Sequence, residues 1–168
     1  MKITAQEEYG LRCLLRLARQ ASEGSLTIPE IAAAENLSPA YVAKLLAVLR
    51  QAGLVESVRG RAGGYRLSRP AAQVRLGSVL LVLGEPLFDE PVYCERHAGP
   101  ETTGPCIHQD GCNLKGLWQT LEQWLRHVLD QISLEDLLTG QMPVVQKLRE
   151  QLPASQPPLV TLSALSRP

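Results

Sequence analysis

Cys94, His97, Cys106, His108 and Cys112 fall within 19 residues, with eleven residues between the first two cysteines and five between the last two. Thiolates are soft donors that hold iron–sulfur clusters or zinc, and imidazole serves as a further ligand to either. Structural zinc sites usually show close Cys-x2–4-Cys pairs, and no such pair occurs here. The spacing leaves three chemistries open: a cluster, a zinc ion, or unliganded thiols that react or pair reversibly. Gly99, Pro100, Gly104, Pro105 and Gly111 predict an irregular path, read as a loop that opens at Pro91 and reaches a new helix near Asn113. A coil of that length in a compact chain is usually functional or disordered, and its cysteines and histidines favour function. The fourth cysteine, Cys13, lies on the apolar flank of a predicted helix and reads as a small core residue.

A second chemistry is electrostatic. Residues 1–70 carry ten Lys or Arg against six Asp or Glu, whereas the remaining 98 carry seven against eleven, so a formal net charge of zero hides a polarised chain. A basic N-terminal part suits an anionic polymer. Arg59, Arg61 and Arg66 cluster around the glycine-rich stretch Gly60-Arg61-Ala62-Gly63-Gly64.

The elements that position these groups follow from caps and periodicity. Thr4-Ala5-Gln6-Glu7 is a capping box, and Leu11, Leu14, Leu15 and Ala18 follow at helical spacing, which predicts a helix over about 5–20. Thr27-Ile28-Pro29-Glu30 starts a second helix that ends near Glu35 and Asn36. Ser38-Pro39 starts a third, with Val42, Leu45, Leu46 and Leu49 as its apolar stripe and Gly53 as its stop. Ala40, Lys44, Ala47 and Gln51 lie opposite, a slim face able to approach a groove closely, with Tyr41 at its flank. Two β-prone runs, 54–59 and 65–69, enclose the glycine-rich turn and read as a hairpin. Two short helices joined by a tight turn and followed by an arginine-tipped hairpin make a winged helix-turn-helix. Its third helix suits a major groove, and its wing suits a minor groove or phosphates. The glycines lack the Gly-Lys-Ser/Thr ending and the strand-to-helix setting of a nucleotide-phosphate loop.

Composition narrows the classes further. With 45% hydrophobic and 20% charged residues, the 168-residue chain is neither disordered nor of low complexity. Apolar runs such as Val79–Leu83 are too short to span a bilayer, and the N-terminus lacks the pattern of a secretory signal, so a cytoplasmic, reducing location is expected. Neither a Cys-x-x-Cys redox pair nor a nucleophile–base set is evident, so an enzyme or an electron carrier is the less favoured class.

Tyr9-Gly10-Leu11-Arg12, Ser38-Pro39-Ala40-Tyr41-Val42-Ala43-Lys44-Leu45-Leu46, Ala52-Gly53-Leu54-Val55 and Arg59-Gly60-Arg61-Ala62-Gly63-Gly64-Tyr65-Arg66-Leu67 closely resemble the IscR/NsrR/CymR-type bacterial transcription factors. The resemblance runs from residue 1 to about 140 and is most specific at the wing. It implies a dimeric DNA binder that contacts a near-palindromic operator through the start of the third helix and the wing. Carried over by position, the contacts are Ser38, Ala40, Tyr41, Lys44, Arg59 and Arg61.

The same resemblance implies an iron–sulfur cluster, [2Fe-2S] or [4Fe-4S], held by Cys94, Cys106 and Cys112. Cluster-sensing members commonly space these cysteines by five residues, and this chain keeps the second interval while lengthening the first. IscR-like members use a histidine three residues past the last cysteine, where Lys115 stands here. Glu8 aligns with the acidic ligand that other members donate from the partner subunit's first helix, and His97 and His108 are further candidates. CymR-like members imply the alternative, a cluster-free or zinc-bound regulator working through thiol chemistry or a protein partner.

Leu114, Leu117, Trp118, Leu121, Trp124, Leu125, Val128, Leu129 and Ile132 step by three and four, which predicts a long helix with a wide apolar face suited to two-fold pairing. A short helix restarts at the Ser133-Leu134-Glu135-Asp136 capping box. The chain thus divides into a mainly α winged helix-turn-helix domain with a small β-hairpin (1–76), a cysteine segment with a dimerisation helix (77–140), and a C-terminal extension (141–168) expected to be flexible.

Overall fold

The computed structural model describes residues 3–20, 24–60, 63–86, 88, 90–97, 106, 108 and 111–150. The first helix, α1 (Ala5–Arg19), begins where the sequence places it. Thr4 Oγ1 accepts the Glu7 N–H, and Glu7 returns a carboxylate to the Thr4 N–H at 2.7 Å. The same reciprocal box at Thr27 and Glu30 opens α2 (Ile28–Glu35). Asn36, left-handed at φ 54°, turns the chain, and Ser38 caps α3 (Pro39–Gln51) by accepting the Tyr41 N–H at 3.2 Å. Gly53, at φ 69°, ends α3 in a conformation that a side chain would strain.

Strands β1 (Val55–Val58) and β2 (Gly64–Leu67) pair antiparallel, with Glu56 opposite Arg66 and Ser57 opposite Tyr65. Leu26 and Tyr65 exchange both backbone bonds, at 3.0 and 2.8 Å, which ties the hairpin to the segment entering α2. That approach needs glycine next door, because a Cβ at Gly64 would stand 2.5 Å from the Leu26 carbonyl oxygen. A helix-turn-helix on α1 followed by this hairpin is the expected winged helix, mainly helical with one small sheet.

The core gathers Leu14 and Leu17 of α1, Ile31 of α2, and Val42, Leu45, Leu46 and Leu49 of α3, with Leu54 and Val55 from the hairpin. Each such leucine, removed from water, contributes roughly 1.5–3 kcal/mol of transfer free energy. A 3-10 turn (Ala71–Gln73) leads into α4 (Leu76–Leu83), which lays Val79 and Leu83 on the same core. Beyond it come α5 (Glu90–Arg96), α6 (Asn113–Asp130), α7 (Leu134–Leu138) and α8 (Gln141–Glu150). The chain after α6 returns to the winged helix. Leu134 donates its N–H to the Val74 carbonyl at 3.0 Å, Leu76 donates to Ile132 at 2.8 Å, and Leu134 is buried in the core beside α1.

One expectation needs correction. Cys94 does not begin a loop: residues 90–96 form α5, with Pro91 in its first turn, where a missing N–H costs nothing. The C-terminal extension starts with a helix, α8, and Lys147 on it pairs with Asp136 at 2.6 Å. Residues 151–168 lie outside the described residues. Among the described residues no helix is long and apolar enough to cross a membrane.

Candidate nucleic-acid interface and thiol segment

The buried stripe of α3 leaves its other face outward, with Ala40, Lys44, Ala47 and Gln51 exposed and Ser38 exposed at its start. One cation among small side chains makes a surface that can lie close to a groove floor. Arg59 is exposed at the end of β1, and Gly60 then turns with φ 108°. Arg61 falls outside the described residues. Arg66 is committed elsewhere, its Nε lying 2.7 Å from Glu56 Oε1 across the hairpin. The register that sets Glu56 opposite Arg66 is the sequence signal that would have shown this pair.

Tyr41, half-buried, meets Tyr9 of α1 edge to face, with ring centroids 6.0 Å apart and planes at 86°. Arg12 places its guanidinium 5.4 Å from the Tyr9 ring centre while its Nε lies 3.0 Å from Glu35 Oε2 and its Nη2 donates to the Glu35 carbonyl at 2.8 Å. Arg16 takes the other carboxylate oxygen at 2.8 Å. Burial of Glu35 opposes its ionisation, but the hydrogen bonds and charges of Arg16 and Arg12 outweigh it and hold the carboxyl below its ordinary range. Nothing in composition or periodicity singled out Glu35, because its role exists only once α1 and α2 have packed.

The four cysteines are free thiols. Cys13 is fully buried; burial first, then the neighbouring Glu35 carboxylate, push its thiol up to about 11 against the opposing charge of Arg12. That is an inert core sulfur, as its place on the apolar flank predicts. Cys94, Cys106 and Cys112 are all half-buried. Cys94 sits on α5 one turn before His97, whose Nδ1 lies 2.8 Å from the Tyr93 carbonyl and whose ring stacks on Tyr93 at 4.4 Å. A carbonyl only accepts, so Nδ1 is the donor here, which leaves Nε2 as the nitrogen whose lone pair a neutral ring would offer to a ligand. Cys112 is the N-cap of α6, its Sγ accepting the Lys115 N–H at 3.4 Å. His108 and Glu8 are both exposed, Glu8 on the first turn of α1.

The donor chemistry suits a sulfur-ligated group: three accessible thiols and an imidazole with an open Nε2. Among the described residues, however, no three His, Cys, Asp or Glu side chains converge on a point that could hold a metal ion. Cys94 thus lies on α5 and Cys112 at the head of α6.

The apolar face of α6 divides. Val128 and Ile132 are buried toward α4, whereas Leu114, Leu117, Leu121 and Trp124 remain 38–58% exposed. These four step by three, four and three, a narrow seam of the kind that pairs helices. Glu122 is buried behind it and pairs with Arg126 at 2.7 Å.

A family model described as Rrf2, iron-dependent transcriptional regulator, matches residues 3–140. Over 142 residues, covering 84% of this chain and 92% of the relative, the sequence is 35% identical to the HTH-type transcriptional regulator NsrR of Halalkalibacterium halodurans. It is 33% identical to the HTH-type transcriptional regulator IscR of Xenorhabdus nematophila over 84% of this chain and 81% of that one. Among solved structures, CymR, the global cysteine regulator of B. subtilis, superimposes with a TM-score of 0.62 at 32% identity, covering 83% of this chain and 97% of that chain.

Proposed function

The chain belongs to the Rrf2 family of transcriptional regulators, and from that premise we propose that it is a homodimeric DNA-binding repressor whose grip on a near-palindromic operator is set by an iron–sulfur cluster. The exposed face of α3 carries the DNA-binding half: a capped helix N-terminus with Ser38, Ala40 and Lys44 outward, joined by the exposed Arg59 of the wing. Ser38, Ala40, Tyr41 and Lys44 enter a major groove, and Arg59 and Arg61 meet phosphates or the minor groove. The uncovered seam of α6 supplies the pairing surface, and the two-fold it generates sets two α3 helices about one duplex turn apart, or a small multiple of that. The setting is the cytoplasm, where thiols stay reduced.

A bound cluster supplies redox reactivity and sensitivity to oxidants, iron supply or nitric oxide. The chain's part is to hold it with Cys94, Cys106 and Cys112, with Glu8 of α1 from the second subunit as the first candidate for a fourth ligand and His97 or His108 as the others. Among the described residues no three such ligands converge, so holding the cluster requires Cys94 on α5, Cys106 and Cys112 at the head of α6 to be gathered round it. Regulation then follows as a population shift: operator affinity responds only as far as the gathered and separated arrangements differ in their fit to DNA.

A second reading rests on the same thiols. Free, half-buried thiols suit a cluster-free regulator acting through thiol chemistry, and the likeness to CymR supports it. Anaerobic purification followed by iron and acid-labile sulfide analysis distinguishes the two. A brown protein whose DNA retention changes when the cluster is stripped supports the first; a colourless thiol protein that responds to oxidant supports the second. A colourless protein holding zinc refutes the cluster and makes the ion the resident ligand.

A further inference from the structure

We propose that Tyr9 and Arg12 are positioning residues that set the posture of Tyr41 and so govern which DNA sequence α3 selects, rather than how strongly the protein holds DNA in general. This rests on the reading of α3 as the DNA-contacting helix.

Positions 9, 12 and 16 share one face of α1, the i, i+3, i+7 relation. That face grips the helix-turn-helix on both sides of its turn. Before the turn, Arg12 and Arg16 hold the two carboxylate oxygens of Glu35, the last residue of α2, which is only 9% exposed. After the turn, Tyr9 meets the ring of Tyr41 in the first helical turn of α3. Arg12 belongs to both grips, because the guanidinium that binds Glu35 also lies against the Tyr9 ring. Edge-to-face ring contacts and cation–π contacts are directional, so this series fixes an orientation as well as filling space. Tyr41 is only half-buried, and with Tyr9 removed its ring gains freedom at the end of α3 that faces outward. Ser38 meets Tyr41 only through the Tyr41 backbone N–H, which the loss of the Tyr9 ring leaves in place, and the ring and guanidinium contacts of this series do not involve Lys44 or Arg59, so charge contacts with DNA persist while discrimination under the first turn of α3 is lost.

Tyr9→Leu keeps apolar bulk and removes the ring; Tyr9→Phe keeps the ring and both of its contacts. Duplexes selected by the wild-type protein from a randomised pool serve as probe, with a scrambled duplex of the same composition as reference, each measured at low and moderate salt. The expected result is that Tyr9→Leu lowers the selected-to-scrambled affinity ratio by roughly three- to tenfold. Scrambled-duplex affinity and its salt slope stay unchanged, and Tyr9→Phe restores the ratio. Arg12→Lys retains a cation beside Glu35 but loses the flat stack on the ring, and gives a smaller drop in the same direction. It carries the test if Tyr9→Leu melts below the assay temperature. An unchanged ratio in the folded variants, or an equal fall on both duplexes, overturns the assignment. Failure of the wild-type protein to enrich any sequence overturns the α3 reading itself, and the positioning role with it.

Discussion

Glu35 Oε1 and Arg16 Nε lie 2.8 Å apart, joining the end of α2 to the last turn of α1. With Arg12 on the other oxygen, a nearly buried carboxylate has both faces answered. The arginines hold its carboxyl below the unfolded range and so favour the charged form; the stability it contributes is complete above the unfolded value of about 4.3 and fades as pH falls through the folded value. Glu35→Gln should cost about 1–2 kcal/mol at neutral pH, since both arginines are a third or more exposed and partly screened. Urea unfolding from neutral pH down to about pH 3 should show a flatter acid slope in the variant than in the parent. Asp136 acts in the same direction lower down. Burial opposes its charge, but Lys147 and the Ser133 cap prevail and bring it to about 2, so its own contribution is lost between about pH 4 and pH 2.

Thiol reactivity should divide three to one. Cys13, buried and pushed to about 11, stays unlabelled by iodoacetamide in the native metal-free protein, whereas Cys94, Cys106 and Cys112 react. Unfolding in urea exposes all four. Peptide mapping by mass spectrometry reads the pattern, and early labelling of Cys13 would mean that α1 is not packed as described.

The wing arginines should behave unequally. Arg59→Ala is expected to weaken DNA binding about tenfold and to reduce the salt slope by about one. Arg66→Ala breaks the exposed pair with Glu56 and should leave that slope where it was. Titrations at several salt concentrations test the contrast, and equal effects would move the DNA path toward the strands.

Trp124 lies half-exposed in the α6 seam with Leu117 and Leu121. If the seam pairs two copies as proposed, Trp124→Glu puts a charge into that apolar contact, and sedimentation should show dimer giving way to monomer at micromolar concentration while helix content is kept. A variant that still pairs fully would place the two-fold elsewhere.

The starts of helices were the most readable features of the chain. Thr4, Thr27, Ser38 and Ser133 each announce a cap, and each helix begins at the following residue, because a cap is a local bond between neighbours in sequence. The outward face of α3 was readable for the same reason, as periodicity alone separates Lys44 from Leu45. What stayed hidden depends on distant partners. Helix α5 was obscured by Pro91 and the glycines that follow, and α8 by the polar, proline-containing end of the chain. Glu35 and the Tyr9–Tyr41 contact needed α1 laid across the turn before they meant anything. The three thiols were legible as residue types, but the helix that carries Cys94 and the capping role of Cys112 were not, since spacing fixes only how far a chain can reach.

One backbone feature limits how any event near Cys112 can travel. Leu76 and Leu134 are stitched reciprocally to Ile132 and Val74, so the C-terminal end of α6 is pinned to the winged helix while its other end lies about 27 Å away. A rod fastened at one end cannot slide along its own axis; it can only swing. Disturbance at the sulfur end therefore reaches the fulcrum as an angle, and in a paired molecule two such angles would become a change in the distance between reading heads.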